Sequence, residues 1–555
     1  MDLCNIYTVD ESKPRVQCIS IEDSTIVDTG NLGEITRRRL PATVLQHYLP
    51  EWVVKAIRRA PKVFYVAPQA AVVPGLADAH AHVLEYGFMM QLPLATATSV
   101  EDVVARIKAY IVAHSDILDD RERWIEGMGW DQTKWPGAKF PTASDLDQDP
   151  LLSGRPISLN RVDGHAKWVS PRVLELMGEL PDVVDGGNIV RDADGRPTGI
   201  FVDNAMALIP TPAWTEQRMS DYFDTTMWDA LSHGLTSIHD AMSYPDQIRF
   251  FKRKADEGKL PNRLYLMGHL PSNDYWGDQI PHLLNYGKHE RLTVKSVKLV
   301  TDGALGSWGA ALLEPYSDKP ETSGLMLTPP DELSTLVHQF WNDGFQVNIH
   351  CIGDRANHVV LDIFEDILHD HKANVTEWRP RIEHAQILTL EDLQRMGKLG
   401  VIASVQPTHA TSDMTYAEFR LGPERIKGAY AYQTLLQVSP NHVLPLGSDF
   451  PVESINPLLG FYAAVSRLDT NGSSPHGNGG WFPHERLTRA QALKGMTLDA
   501  AYASFAENDL GSLTPGKKAD FVVLDRDIMT VPFAEILETK VSATVVDGKV
   551  AYGAL

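Results

Sequence analysis

Residues 72–82 read Val72-Val73-Pro74-Gly75-Leu76-Ala77-Asp78-Ala79-His80-Ala81-His82, a short apolar run that ends in two histidines one residue apart. On a β-strand, the side chains at i and i+2 point to the same face, so both imidazoles can converge on one point. Imidazole is a common ligand of divalent transition metals, and two such groups supply half of a tetrahedral shell. A pair of incidental histidines explains the stretch equally well, so the rest of the chain has to decide.

The composition is that of an ordinary globular protein with an acidic surface. The chain has 555 residues, of which 43% are hydrophobic and 22% charged, enough for a large core and more than one structural unit. Its 51 Lys and Arg against 72 Asp and Glu give a net charge of −21, which is unsuited to nucleic acid or an anionic membrane. We therefore expect neither nucleic acid nor a membrane as partner. A small-molecule substrate is expected, and a homodimer stays open.

The cysteines and the first residues bear on the compartment. Cys4, Cys18 and Cys351 are too few for a disulfide framework and indicate a reducing environment. The N-terminus lacks the basic segment followed by an apolar one that marks a secretory signal. No apolar run approaches the about 20 residues that would span a bilayer. These features predict a cytoplasmic protein.

Apolar segments alternate regularly with helix-like stretches over most of the chain. Eight segments are predicted to be strands: Leu76–His80, Leu235–His239, Arg263–Met267, Val294–Val300, Gln346–His350, Arg381–His384, Val401–Gln406 and Val443–Leu446. Helical periodicity between them, as in Asp331–Trp341, predicts parallel βα units. Eight such units predict an α/β fold with a closed (β/α)8 TIM-type barrel, to which we assign residues 71–504.

The remaining segments predict a second, smaller domain and an insertion. Alternating residues near both chain ends predict strands that pair into a small β-sandwich domain, composed of residues 1–70 and 505–555. Residues from about 120 to 215 are rich in Pro, Gly, Asp and Trp and predict an insertion with its own structure. Residues 40–60 predict one helix or, because of Pro50, two short ones.

Metal-binding or acid–base residues recur at the carboxyl ends of the predicted barrel strands, where such barrels place their active sites. They are His80 and His82 on the first strand, Lys298 on the fourth, His350 on the fifth, His384 on the sixth and Asp449 on the eighth. Each alone is more readily explained as a structural residue, and an ion pair with Asp302 is an alternative for Lys298. Gathering six ionisable groups at one place costs several kcal/mol each unless a metal or a partner offsets it. The set therefore predicts a metal centre.

The order His-x-His, Lys, His, His, Asp resembles the amidohydrolase superfamily of metal-dependent hydrolases. The stretches Pro74–His82 and Pro515–Leu524 are typical of that superfamily. Three more, Gly127–Asp131, Arg161–His165 and His350–Ala356, resemble the branch that includes N-substituted formamide deformylases. The resemblance covers nearly the whole chain and implies a hydrolase whose insertion folds over the barrel mouth.

The resemblance also implies a role for each matched metal-site residue. His80, His82 and Asp449 would bind the more buried metal, and His350 and His384 the second. Lys298 would bridge the two after carboxylation by CO2, because a lysine cation has no lone pair to offer. Zinc is the metal that the resemblance favours, as one or two ions. Asp449 would also be the catalytic base, accepting the proton of a metal-activated water and passing it to the leaving nitrogen.

Residues that contact the substrate are predicted in the insertion and in the loops after the fifth and seventh strands. They are Trp130, Asp131, Arg161, His165, Arg355 and His409, for which packing and salt bridging are an equally good explanation. Asp78 lies two residues before His80 on the same strand face, and we expect it to support the metal ligands rather than bind the metal.

Three functions remain open from the sequence. The first is hydrolysis of non-peptide carbon–nitrogen bonds, with amides or N-formyl and N-acyl amines as substrates. The second is other chemistry on the same fold, such as lactone or phosphate-ester hydrolysis or ring-amine deamination, since fold does not fix substrate. The third is a non-catalytic binding scaffold, which the six competent ligand positions disfavour. Lys298 favours a two-metal hydrolase over a mononuclear deaminase.

Overall fold

A computed structural model describes residues 5–39, 62–370 and 372–555 of the chain. The helical stretch expected at residues 40–60 lies outside the described residues. Within them, the strands in chain order are β1 Ile6–Tyr7, β2 Arg15–Val16, β3 Cys18–Glu22, β4 Thr25–Gly30, β5 Ala71–Pro74, β6 Leu76–Ala81, β7 Ile125–Trp130, β8 Ile157–Arg161, β9 Ala166–Val169, β10 Gly187–Arg191, β11 Pro197–Asp203, β12 Leu235–Ser243, β13 Arg263–Gly268, β14 Leu283–Tyr286, β15 Leu292–Val300, β16 Gln346–Cys351, β17 Arg381–His384, β18 Ile402–Ser404, β19 Phe521–Leu524, β20 Val541–Val546 and β21 Lys549–Gly553.

Helices connect most of these strands and cover the outside of the main sheet. Those in the described ranges are Leu32–Arg39, Val83–Met89, Val100–Ala113, Ser115–Asp119, Pro171–Met177, Glu216–Ser232, Pro245–Glu257, Pro330–Asn342, Asp354–Asp370, Val375–Trp378, Leu390–Leu399, Pro407–Asp413, Ala417–Arg425, Tyr432–Val438, Pro457–Ser466, Arg489–Gly495, Leu498–Ala503 and Phe533–Leu537. None of these helices combines the length and the apolar character that crossing a bilayer requires.

Seven parallel strands form the main sheet, in the order β18–β17–β16–β15–β13–β12–β6. Each overlaps one of the segments predicted from the sequence, so seven of the eight expected barrel strands are confirmed. Strands β6, β13, β16 and β17 are buried along their whole length, as expected where helices cover the outside and side chains fill the inside. The sheet is a nearly closed TIM-type barrel.

The eighth barrel position is occupied by backbone that forms a single bridge rather than a regular strand. Leu446 bridges Val405 beyond β18, and on the other side its carbonyl accepts the N–H of Ala79 in β6 at 3.2 Å. Pro445 has no N–H to donate and therefore interrupts the ladder here. The strand expected at Val443–Leu446 thus lies where the sequence predicts it but is reduced to one bridge.

Strands from both ends of the chain meet in a six-stranded sheet, in the order β2–β1–β5–β19–β20–β21. The central β5 pairs in parallel with β1 and antiparallel with β19. The separate hairpin β3–β4 packs against this sheet through an apolar cluster that contains Ile26, Val72 and Phe521. Pairing of the two chain ends agrees with the sequence, whereas the sandwich form of this unit and the domain limits stay predictions.

A five-stranded sheet, in the order β10–β11–β9–β8–β7, lies in the segment that we interpret as an insertion. Its own apolar core includes the fully buried Trp130 and Trp168. Strands β7 and β8 run parallel to one another, and their carboxyl ends carry Asp131 and Arg161 towards the barrel. The sheet therefore supplies one wall of the space above the barrel strands.

Candidate metal centre

A cavity of about 1150 Å³ lies at the carboxyl ends of the barrel strands and is also lined by residues of the five-stranded sheet. All six side chains predicted as metal ligands line it: His80, His82, Lys298, His350, His384 and Asp449. They come from β6 and the residue that follows it, from β15, β16 and β17, and from the segment at the eighth barrel position. The fold therefore brings the six predicted ligands into one space.

Asp449 contacts both histidines of the opening stretch. Its Oδ1 lies 3.0 Å from Nε2 of His82 and 3.4 Å from Nε2 of His80. The three side chains can each offer one ligand atom within 4.8 Å of the others. Burial alone would raise the pKa of Asp449, but the two imidazoles and the hydrogen bond from His82 lower it overall. Two imidazoles and an anionic carboxylate are a donor set that suits Zn²⁺.

His80 is oriented by a buried carboxylate behind it. Its Nδ1 donates to Oε2 of Glu383 at 2.7 Å, so the Nε2 lone pair is the one that faces Asp449. Arg381 lies 2.8 Å from the other oxygen of Glu383, and both side chains are fully buried. A carboxylate behind a metal-binding histidine fixes the tautomer of the ring and raises its basicity. Glu383 is not among the residues predicted from the sequence, although it directly precedes the predicted ligand His384.

Lys298 is buried beside the histidines. Its Nζ lies 3.5 Å from Nε2 of His80. Burial lowers the pKa of the Lys298 ammonium, although the carboxylates of Glu383 and Asp449 act in the opposite direction. The lowered pKa favours the neutral amine. Asp302, the alternative partner considered for Lys298, instead accepts three backbone N–H groups at 2.8, 2.9 and 3.0 Å. The oxygens of Asp302 are therefore engaged by backbone N–H groups, and the lowered pKa of Lys298 comes from its burial.

His350 and His384 lie next to one another, with ring centroids 4.5 Å apart. Burial lowers the pKa of both well below the ordinary value, so both rings are neutral and keep a lone pair. His384 donates from Nδ1 to Oε1 of Gln406 at 2.9 Å, which leaves its Nε2 unprotonated. Nε2 of His350 is buried, lacks a hydrogen-bond partner and lies 3.6 Å from Oδ1 of Asp302.

Asp78 ties the first barrel strand to the segment at the eighth position. It accepts the N–H of His80 at 3.1 Å and the hydroxyl of Ser448 at 2.6 Å. Burial raises its pKa to about 7, although these hydrogen bonds act in the opposite direction. Asp78 thus links His80 to Ser448, the residue before Asp449. Its role in supporting the metal ligands stays a prediction.

The six residues expected to contact substrate divide into two groups. Asp131, Arg161, His165 and His409 line the cavity, whereas Trp130 and Arg355 do not. The indole of Trp130 is fully buried in the core of the five-stranded sheet, where it donates to a carbonyl at 2.9 Å. Neighbouring residues on extended backbone point to opposite sides, and Asp131 takes the side that faces the cavity. Arg355 is exposed at the start of the helix Asp354–Asp370.

The charged groups of the cavity wall are largely paired with one another. Arg161 donates to Asp131 and to Gln132, each at 2.7 Å, and also to Asp163. The hydrogen-bond donors of its guanidinium are thus engaged by neighbouring side chains. His165 donates from Nδ1 to a carboxylate oxygen of Asp203 at 2.7 Å. Burial opposes protonation of this ring, but the hydrogen bond and nearby carboxylates raise its pKa to about 9, so it is a cation at neutral pH.

Comparison with known proteins extends over almost the whole chain. Residues 67–552 match the amidohydrolase family. The chain is 34% identical to the protein LONG AFTER FAR-RED 3 of Arabidopsis thaliana, over 99% of this chain and 90% of that relative. It is 26% identical to the N-substituted formamide deformylase of Arthrobacter pascens, over 87% of this chain and 88% of that relative. A solved structure of a metal-dependent hydrolase from Pyrococcus horikoshii is similar with a TM-score of 0.72 and 27% identity, and the match covers 95% of this chain and 97% of that one.

Proposed function

The chain belongs to the amidohydrolase family and is a metal-dependent hydrolase, and we propose from this that it cleaves non-peptide carbon–nitrogen bonds in N-formyl or N-acyl amines. The observation that carries the proposal is Asp449, a buried anion within 3.0 and 3.4 Å of the imidazoles of His82 and His80. The similarity to a formamide deformylase over most of both chains supports the class of bond.

We assign His80, His82 and Asp449 to one divalent cation, which we take to be zinc. His350 and His384 are the ligands that the family resemblance implies for a second cation, with Lys298 as a carboxylated bridge. The neutral imidazoles and the lowered pKa of the Lys298 ammonium are compatible with these roles. When bound, such a cation supplies a Lewis acid that lowers the pKa of water towards neutrality.

The side chains of the cavity then have separate tasks. Asp449 accepts the proton of the attacking water and delivers it to the leaving nitrogen, because it is the carboxylate among the proposed ligands. Glu383 keeps the proton of His80 on Nδ1 and so keeps its Nε2 free. His165, whose Nδ1 is engaged by Asp203, has an Nε2–H left to donate to the carbonyl oxygen of the substrate.

The cavity wall bears on the substrate as well. Apolar side chains that include Leu305, Leu333 and Leu336 line the cavity together with the charged groups. Since Arg161 is already bonded to Asp131 and to its other neighbours, it does not offer a free cation to a substrate carboxylate. An amine with an apolar substituent is therefore the leaving group that we expect.

The test joins metal analysis to a hydrolysis screen. Purified protein should contain zinc and should hydrolyse N-formyl and N-acyl amines faster than lactones, phosphate esters or ring amines of similar size. His442→Asn is the matched control, because His442 does not line the cavity and asparagine tolerates its left-handed backbone. Metal-loaded, folded protein that acts on lactones or ring amines but on no amide would overturn the proposed substrate class. Metal-free, folded protein without any turnover would overturn the proposed metal centre.

A further inference from the structure

Three further side chains line the cavity beside the metal centre, at the first, second and third barrel strands. Tyr244 follows β12 and His269 follows β13, two strands that carry none of the proposed metal ligands. Glu85 belongs to the helix Val83–Met89, which begins directly after His82. None of the three is among the residues predicted from the sequence. Their position places them next to a substrate that reaches the metal centre.

His269 offers a hydrogen-bond acceptor. The residue is only 8% exposed, and its Nδ1 donates to the backbone carbonyl of Lys298 at 2.9 Å. A carbonyl can only accept, so the ring proton lies on Nδ1 and Nε2 keeps its lone pair. The ring packs between the aromatic rings of Tyr244 and Trp276, with centroids 5.5 and 6.2 Å away, an apolar setting that favours the neutral imidazole. No residue that the structure describes donates a hydrogen bond to Nε2.

Glu85 is a carboxyl group without a cation of its own. Its Oε1 accepts from Nε2 of Gln247 at 3.3 Å, and burial together with the nearby carboxylate of Asp240 raises its pKa. Asp240 is already engaged by the N–H of Val83 at 2.8 Å and by the hydroxyl of Ser243. In the described part of the chain, no lysine or arginine lies within ion-pair distance of Glu85. A ligand that brings positive charge or N–H donors would compensate this carboxyl group.

Tyr244 connects Glu85 to His269. Its backbone N–H donates at 2.9 Å to the side-chain amide of Gln247, the same amide that donates to Glu85. Its ring meets that of His269 edge to face, at an interplanar angle of 73°. Burial, with the charge of Glu85 in addition, raises the pKa of its hydroxyl to about 12. The hydroxyl contacts only the weakly accepting sulfur of Met242, at 3.6 Å, among the described residues.

We propose that Glu85, Tyr244 and His269 bind an ammonium group of the substrate. They supply a carboxylate, an aromatic ring and an imidazole lone pair, the groups that a cation with N–H donors prefers. The inference rests on the proposed function, which it narrows to N-formyl or N-acyl amines whose leaving amine carries a second, charged amino group. Leu333 and Leu336 also line the cavity, so we expect the chain between the amide nitrogen and the ammonium to be apolar. Hydrolysis would release a carboxylic acid and a diamine.

The experiment uses zinc-loaded protein at neutral pH and pairs of compounds that differ only at the end of an alkyl chain. One member ends in an ammonium group and the other in a methyl group, with chains from ethyl to pentyl. Calorimetry measures the binding of N-alkyl methanesulfonamides, which are not amide substrates, and turnover is measured with the corresponding acetamides and formamides. Hydrogen bonds to a charged group change affinity by about 10–100-fold. At the chain length that fits, the ammonium member should bind more tightly by about this factor and show a correspondingly lower KM.

Variants locate the preference for the ammonium member. Glu85→Gln keeps the shape of the side chain and should reduce the preference at least about tenfold, with unchanged affinity for the methyl member. His269→Phe keeps the ring against Tyr244 but removes the acceptor, and should reduce the preference as well. If this variant unfolds, judged by circular dichroism, His269→Asn replaces it. Glu453→Gln is the matched control, because Glu453 is a partly exposed carboxyl group elsewhere on the cavity wall, and it should leave the preference unchanged.

Three results would overturn the inference. In the first, the wild type binds both members of every pair equally well. In the second, Glu85→Gln and Glu453→Gln reduce the preference equally, which would assign it to the overall charge of the cavity. In the third, Glu85→Gln weakens both members equally, which would make Glu85 a support of the metal centre. The proposed function fails separately, when zinc-loaded protein prefers the ammonium sulfonamides but hydrolyses no amide.

Discussion

Removing the carboxylate of Glu383 should weaken zinc binding although Glu383 is not a proposed zinc ligand. The side chain is fully buried, accepts from Nδ1 of His80 at 2.7 Å and lies 2.8 Å from the guanidinium of Arg381. In Glu383→Gln the amide oxygen can still accept from His80, so the tautomer survives and only the charge is lost. In Glu383→Ala the tautomer is lost as well. Partners that hold a metal ligand in place contribute about 10–100-fold to metal affinity. We therefore expect zinc to bind about tenfold more weakly to Glu383→Gln and about 100-fold more weakly to Glu383→Ala.

The same changes should also destabilise the fold. Breaking a buried ion pair from one side costs about 3–5 kcal/mol, because the other charge is left without its partner. Arg381 retains its bonds to the carbonyl of Ala79 at 2.8 Å and to the hydroxyl of Ser404 at 2.9 Å, which places the cost near the lower end, about 3 kcal/mol. Stability and metal affinity must therefore be measured separately.

Zinc affinity is measured by competition with a chromophoric chelator, and stability by the thermal unfolding midpoint of the metal-free protein. Glu485→Gln is the matched control. Glu485 is also buried and accepts the N–H of Thr434 at 3.0 Å, but it does not line the cavity. We expect this control to lower the unfolding midpoint and to leave zinc affinity unchanged. A Glu383→Ala variant that binds zinc as tightly as wild type would refute the role of this carboxylate in orienting His80.

Three further outcomes follow from the site. Asp449→Asn should lower kcat by at least about 100-fold, as expected for loss of a general base. Metal content, measured by elemental analysis, should change less. Full activity of this variant would contradict the role of Asp449 as the base. Gly447→Ala should reduce both the bound metal and the unfolding midpoint, because the added Cβ would lie 2.6 Å from the backbone nitrogen of His80. The folded-state pKa of His165 is raised from 6.5 to about 9. The protonated ring therefore stabilises the folded protein fully below about pH 6.5, and this contribution is lost as the pH rises through about 9. The midpoint difference between wild type and His165→Asn should follow that course, and a difference independent of pH would count against it.

Most of the barrel and the convergence of the six predicted ligands could be predicted from sequence. Parallel strands all end at one rim, so a histidine or lysine at the end of an apolar segment is placed without knowledge of any contact. This is why His80, Lys298 and His350 were found from strand ends alone. Their separation along the chain did not matter, because strand direction and not sequence distance brings them together.

Features that depend on how a loop returns over the barrel were beyond the sequence. His409 follows a strand like the other candidates, but its approach to Asp449 depends on the helix Pro407–Asp413 that begins at Gln406. Trp130 illustrates a related limit. Strand alternation shows that Trp130 and Asp131 face opposite sides, but not which of the two sides faces the cavity. Single-sequence patterns report the period of an element, and the orientation of the element in space is set by packing.

The irregular segment at the eighth barrel position is what brings Asp449 close to His80 and His82. A regular strand would continue its ladder through this point, but Pro445 interrupts the ladder and Gly447 leaves room for the backbone of His80. Asp449 then adopts φ 61°, a left-handed conformation that is costly for a residue other than glycine, and His384 across the cavity does the same at φ 71°. Such conformations persist only where surrounding contacts enforce them, and here the N–H of Asp449 donates to the carbonyl of His80 at 2.7 Å. The sequence predicts a regular eighth strand, whereas the structure has an irregular segment there. This irregular segment is what positions the proposed catalytic carboxylate.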